Sequence, residues 1–192
     1  MKTSPYTAVL DACVLYPAPL RDLLLELAAG GSLYRAKWTE DIHDEWTRNL
    51  AKDRPDLKPE QIARTRDLMN RSVPDCLVEG YQELIPSLTL PDENDRHVRA
   101  AAIVSAADAI VTFNLKDFPK PVLDKYLLDL IHPDEFIFNQ FGINDAAVLM
   151  SAQRCRLRLK NPPKTVSEYL DMLEMQGLPK TVSRLRTYAG VI

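Results

Sequence analysis

Tyr6-Thr7-Ala8-Val9-Leu10-Asp11 decides how the chain is read: a short β-prone run stopped by an acid. A continuously apolar run of this kind suits a strand covered on both faces, as in a parallel sheet. Asp is a poor residue with which to continue a strand, so Asp11 marks a strand end. Ala109-Ile110-Val111-Thr112-Phe113 repeats the pattern and ends at Asn114, with Asp117 three residues further on. If the two strands are neighbours, both acids face one crevice. In open α/β sheets that carboxyl edge is where ligands bind.

Working outward, helical patterns alternate with short strands. Pro17 and Pro19 precede the leucine-rich segment 20–29, and Gly30-Gly31 follows it, the usual start and stop asymmetry of a helix. Residues 33–38 predict a second strand. Thr39 is a good N-cap for a helix over 40–51, in which Ile42, Trp46 and Leu50 fall on one face. Further helices are expected over 60–71, more weakly over 76–85, and over the alanine-rich stretch 92–107. Short strands are expected at 87–90 and 135–138. Alternating helices and apolar strands predict an α/β fold with a short, mainly parallel sheet.

Beyond Gly142 the strands stop. Residues 143–160 read as a helix, and Thr165-Val166-Ser167-Glu168 is a capping box opening another that ends near Gly177. A last short helix follows Pro179. The expected organisation is therefore a body over 1–142 and a C-terminal helical extension over 143–192.

Of the 192 residues 46% are hydrophobic and 27% charged, with 6 Gly and 14 Pro, which excludes disordered, collagen-like and disulfide-scaffold classes. No apolar run approaches the ~18 residues that span a bilayer. Met1-Lys2-Thr3-Ser4-Pro5 shows no signal-peptide pattern. Cys13, Cys76 and Cys155 form no CxxC, so reduced thiols in a cytoplasm are expected, with no membrane partner. The net charge of −3 hides an asymmetry: residues 1–150 hold 16 Lys/Arg against 24 Asp/Glu, and residues 151–192 hold 8 against 3. Arg154, Arg156, Arg158 and Lys160 make the densest basic run. Two readings stand for it: a grip on an RNA backbone, or the wet side of a helix with Leu157 packed inward.

Two more acids come from helix geometry. At about 100° per residue, Glu45 flanks the Ile42–Trp46 stripe, and Asp95 borders the Val98–Ala102 face in its helix's first turn. An acid at such a boundary is costly unless a cation or donors satisfy it. Four converging carboxylates, Asp11, Glu45, Asp95 and Asp117, would repel one another, and a divalent cation removes that penalty. An all-carboxylate set suits one or two Mg²⁺ or Mn²⁺ ions rather than Zn²⁺. Such ions activate water and stabilise the leaving oxygen in phosphodiester hydrolysis. Each acid also has a plainer reading: Asp92 and Asp95 as caps, Glu45 as a solvated acid, Asp117 in an Asx-turn.

Taken in order, the segments 8–15, 39–46, 92–98 and 109–119, followed by His132-Pro133-Asp134-Glu135-Phe136, resemble the signature blocks of PIN domains. The best match is to the branch containing VapC-type toxins of toxin–antitoxin pairs. The resemblance implies a three-layer α/β/α fold and a metal-dependent endoribonuclease. It assigns Asp11, Glu45, Asp95 and Asp117 as catalytic metal ligands holding Mg²⁺ or Mn²⁺, and Thr112 and Asn114 as supporting residues. Asp92 is a supporting residue or only a cap. It further implies an RNA substrate, an antitoxin partner and self-association as a homodimer. Asn114 stands where some relatives carry Asp, and the extension exceeds the length of many relatives. A housekeeping PIN nuclease in RNA processing, or an inactive PIN-like module that binds RNA or protein, are the alternatives.

Other chemistries fit less well. A haloacid-dehalogenase-type phosphotransferase wants a second acid where Cys13 stands. A receiver domain expects an acidic pair nearer the start. His43, His97 and His132 lack zinc-ligand spacing and read as structural or surface residues.

Overall fold

The computed structural model describes residues 6–30 and 32–192. The stretch Met1–Pro5, read above for its lack of a signal pattern, and Gly31 lie outside the described residues. The fold is α/β: a four-stranded, wholly parallel sheet with a C-terminal helical region. Strands β1 (Thr7–Leu10), β2 (Arg35–Lys37), β3 (Ala109–Val111) and β4 (Asp129–Ile131) lie in the order β2-β1-β3-β4. Register pairs Leu10 with Val111, and the Asp11 N–H extends the ladder by donating to the Val111 carbonyl at 3.1 Å. β1 and β3, the two expected to meet, are thus neighbours.

Helices α1 (Ala12–Leu15) and α2 (Ala18–Ala29) follow β1; α3 (Glu40–Asp53) and α4 (Pro59–Ser72) follow β2; α5 (Arg96–Val104) leads into β3. The Thr39 hydroxyl accepts from the Ile42 N–H at 3.1 Å, so the predicted N-cap starts α3. Ile42 and Trp46 are fully buried beneath it. All four residues of β1 are buried, as a strand covered on both faces requires.

Three short-range expectations are corrected. Residues 135–138 are not a strand: they lie in α7 (Pro133–Arg158), because Pro133 at its first position, acids in its first turn and the His132 cap favour a helix there. The last strand is β4, just before. Residues 76–85 are not a helix. Residues 76–78 run extended, with Val78 N–H donating to the Trp38 carbonyl at 2.9 Å, and a 3₁₀ turn at Gln82–Ser87 contains Pro86. Residues 88–90 bury Leu88 and Leu90 without joining the sheet.

The C-terminal region packs as part of the body. Leu170, Leu173, Leu178, Val182 and Leu185 belong to the same buried cluster as Leu10, Val111 and Trp46. α7 starts ten residues before the expected boundary and kinks at Asn144 (φ −159°, ψ 95°), whose side chain accepts from the Ala147 N–H at 3.0 Å and re-caps the helix. A short helix, α6 (Lys120–Leu123), precedes β4, and α8 (Val166–Met175) and α9 (Pro179–Arg186) follow α7. The capping box of α8 is formed as read, Thr165 N–H donating to Glu168 Oε2 at 2.8 Å and Glu168 N–H to Thr165 Oγ1 at 3.3 Å.

The basic run is oriented opposite to the inward-Leu157 reading. Leu157 is 55% exposed, while Arg154 and Arg158 reach the buried Glu26 carboxylate of α2, each at 2.5 Å. Arg156 donates to the carbonyls of Ile192 and Lys164 at 3.0 and 3.1 Å. A carboxylate with almost no solvent access requires cations, and the arginines supply them. Because β1 and β2 are parallel, α2 returns the chain to the amino edge of the sheet, so these contacts lie away from Asp11. Lys160 is exposed.

α9 has no side-chain cap of its own; Asp134 of α7 supplies it, accepting from the N–H groups of Lys180 at 2.9 Å and Thr181 at 2.8 Å. Asp134 is buried, so Asp134→Ala strands two donors and should cost about 2–3 kcal/mol. In a thermal melt that is a fall of roughly 5–10 °C for a chain of this size. A shift below about 1 °C would contradict the assigned role of this contact.

Candidate active site

Asp11 sits where β1 gives way to α1, 2% exposed. Its Oδ1 accepts from the Ala12 N–H at 2.7 Å, which makes it the N-cap of α1. Its Oδ2 accepts from the Thr112 hydroxyl at 2.6 Å and from the Cys13 thiol at 3.2 Å. The Thr112 contact follows from the register: the residues after Leu10 and Val111 must stand side by side. Thr112 is fully buried, and its Oγ1 accepts the Asn114 N–H at 3.0 Å, so one hydroxyl orients both a carboxylate and the loop after β3.

Asp95 ends a 3₁₀ turn, Glu93–Asp95, and enters α5. It is 8% exposed, and its Oδ2 has no hydrogen-bond partner among the described residues. Burial, then the charges of Asp11, Asp92, Asp117 and Glu45, push its pKa up to about 7. Asp11 is likewise raised, by burial first and with Glu45 adding to it, against the lowering effect of its Thr112 and Cys13 hydrogen bonds. Glu45 on α3 and Asp117 in the 3₁₀ turn Leu115–Asp117 are half-buried. Asp95 therefore lies within reach of the charges of Asp11, Glu45 and Asp117, and Asp11 within reach of that of Glu45. Asp92 is exposed and accepts from the Asn94 N–H at 2.9 Å, a cap that also presses charge on Asp95. Asn114 is exposed at the rim.

An orphaned, buried carboxylate oxygen among repelling acids fits a hard divalent cation, which would satisfy the oxygen and cancel the repulsion. Among the described residues no three acidic, His or Cys side chains are already drawn together at metal-ligating spacing. The donor set fits in chemistry, and the like charges stand apart.

Two residues beside the acids escaped the sequence reading. His97, taken as structural or surface, has its Nε2 3.4 Å from Glu45 Oε2, while its Nδ1 is buried without a partner among the described residues. Cys13 touches both Asp11 and Thr112, at 3.2 and 3.3 Å, and accepts the Phe113 N–H at 3.4 Å. Burial, with Asp11 nearby, pushes its thiol up to about 12, so it is an inert donor. Their positions two residues after Asp95 and Asp11 were the available signal. His43 and His132 are structural: His43 accepts from Trp46 Nε1 at 2.9 Å, and His132 caps α7.

Residues 133–187 match the family model of the VapC50 C-terminal domain. A protein of Mycobacterium tuberculosis (strain ATCC 25618 / H37Rv) named "Putative ribonuclease VapC50" is 35% identical over 107 residues. The resemblance to VapC-type proteins is borne out. The aligned stretch covers 56% of this chain and 62% of that VapC50 protein, so less than two thirds of the relative is spanned. No solved structure matches the chain. The VapC50-type C-terminal match begins at Pro133, where α7 begins.

Asp95 also makes the acid cluster measurable through stability. A carboxyl raised in the folded state binds protons that the unfolded chain has released. Its stabilisation is present below the ordinary carboxyl range and is lost as pH rises through about 7. Asp95→Asn removes that loss. In chelator, its melting temperature should exceed wild type by about 2–4 °C above neutral pH, the equivalent of about 1 kcal/mol. The gap should close in acid. Asp11→Asn is the poorer probe, because it also disturbs three hydrogen bonds. An Asp95→Asn variant that melts lower throughout would mean the carboxylates do not repel.

Proposed function

We propose that this chain is a metal-dependent endoribonuclease that hydrolyses RNA phosphodiester bonds, and that it is the toxin of a toxin–antitoxin pair working in the cytoplasm. The observation that carries the reading is the Asp95 oxygen, buried and without a partner among the described residues, beside carboxylates whose charges push its pKa up. The ribonuclease name of the VapC50 relative agrees with it. No helix among the described residues is long and apolar enough to cross a membrane.

In this reading Asp11, Glu45, Asp95 and Asp117 hold one or two Mg²⁺ or Mn²⁺ ions. Such ions supply Lewis-acid activation of water and neutralise charge that develops on a phosphate. The chain's own residues prepare the site. Thr112 fixes the Asp11 carboxylate through a 2.6 Å hydrogen bond and, through the Asn114 N–H, holds the rim. The Ala12 N–H takes the other Asp11 oxygen. His97 steadies Glu45 from α5. The burial of Asp11 and Thr112 keeps water from competing for these bonds. A partner that covers this edge would silence it, which is the part assigned to an antitoxin; self-association remains part of the proposal.

The test is cleavage of a mixed RNA pool with Mn²⁺, Mg²⁺ or EDTA, with calorimetric metal titration alongside. Wild type should cut only with the divalent ion, and Asp11→Asn should lose both cleavage and metal binding. Cleavage that survives EDTA, or an Asp11→Asn variant of full activity, would sink the assignment. Neither cleavage nor metal binding would favour the inactive binding module instead.

Thr112→Val separates ligand from support. It keeps the shape, removes the hydroxyl that orients Asp11, and should lower metal affinity or activity by about 10–100-fold. An unchanged metal titration would remove Thr112 from the site. Growth arrest on expression, relieved by a neighbouring gene, distinguishes a toxin from a housekeeping nuclease.

A further inference from the structure

A cleft of about 460 Å³ opens beside the acids. Its walls are the α1 segment through Tyr16, Asn114 after β3, and one face of α3 carrying Glu45, Asn49 and Lys52. These three stand at i, i+4 and i+7, so they form one ladder on the helix. At 1.5 Å per residue, Lys52 lies about 10 Å along the axis from Glu45. The cleft therefore starts at an acid of the proposed site and ends at a cation. Lys52 is exposed and is the one cation among the described residues lining the cleft. The acid next to it, Asp53, accepts the Tyr16 hydroxyl at 2.8 Å, which turns that carboxylate onto the opposite wall.

The basic run at 154–160 does not serve this edge, since Arg154, Arg156 and Arg158 are engaged within the fold at the far side of α2. An acidic crevice repels a polyanion, and a strand lying in it requires a positive contact within the same groove. Asn49, between the acid and the lysine, offers an amide that both donates and accepts.

We propose that this cleft seats the RNA strand next to the cleaved bond, Lys52 Nζ donating to a flanking phosphate and the Asn49 amide to the sugar–phosphate backbone. The inference rests on the ribonuclease reading above and deepens it by naming where the strand runs. It makes Lys52 a substrate-binding residue outside the metal-ligand set. A lysine in the last turn of α3 also complements the helix dipole, but that role acts on stability alone.

The experiment is fluorescence anisotropy of a fluorescein-labelled single-stranded RNA across a salt series in Mg²⁺, with Asp11→Asn as the parent so that the probe stays intact. Adding Lys52→Gln should weaken binding about fivefold near 0.1 M salt and flatten the slope of log affinity against log salt by about 0.7, one phosphate contact on a single strand. Lys52→Arg should restore both. Lys125→Gln, on the opposite edge of the sheet, should change neither. If the parent binds with a clear salt slope and Lys52→Gln leaves it unaltered, the cleft assignment falls and the nuclease reading stands. A parent with no salt-dependent binding to RNA overturns both.

Discussion

A carboxylate buried at the end of a central strand is the constraint on which the rest of this structure depends. Asp11 is 2% exposed, and its charge is tolerable only because the Ala12 N–H, the Thr112 hydroxyl and the Cys13 thiol all point at it. Each of those donors requires a particular piece of architecture. The Ala12 donor requires α1 to begin at once. The Thr112 donor requires β3 beside β1 in the register that pairs Leu10 with Val111. A slip of one residue would turn Thr112 to the other face and leave a buried charge with too few donors.

Around that point the fold places carboxylates from four separate segments, and it does not satisfy them all. Asp95 keeps a buried oxygen without a partner among the described residues. A structure optimised for stability alone would not hold such a group next to three other acids. Repulsion retained at this edge is what the proposed metal site would require. Glu26 shows the contrast: it is just as buried, yet two arginines meet it.

That contrast also explains the C-terminal helices. They are bound to the body by a shared apolar core, by the arginines on Glu26 and by Asp134 capping α9. Two of the basic residues that the sequence groups together, Arg154 and Arg158, hold α7 to α2, and Arg156 ties down backbone carbonyls of the C-terminal region. In the proposed strand-binding cleft the cation is Lys52 of α3.

Much of this was legible in one dimension. Apolar runs ending at Asp11 and Asn114 carried the parallel sheet, because only strands buried on both faces dispense with polar alternation. Thr39 and the Thr165–Glu168 box carried two helix starts through side-chain caps that act over three residues. The four acids could be named because strand ends and helix faces are periodic features. Local patterns failed where a short segment answered to its surroundings. Residues 135–138 are apolar enough for a strand, yet the Pro133 start made them helix; residues 76–78 lie extended because Trp38 offers them a bridge. What only the tertiary structure decided was which groups meet across more than a hundred residues: Thr112 with Asp11, Arg154 with Glu26. Sequence determines what each segment can offer, whereas contact between distant segments is settled by packing, where burial makes an unpaired charge too costly to leave alone.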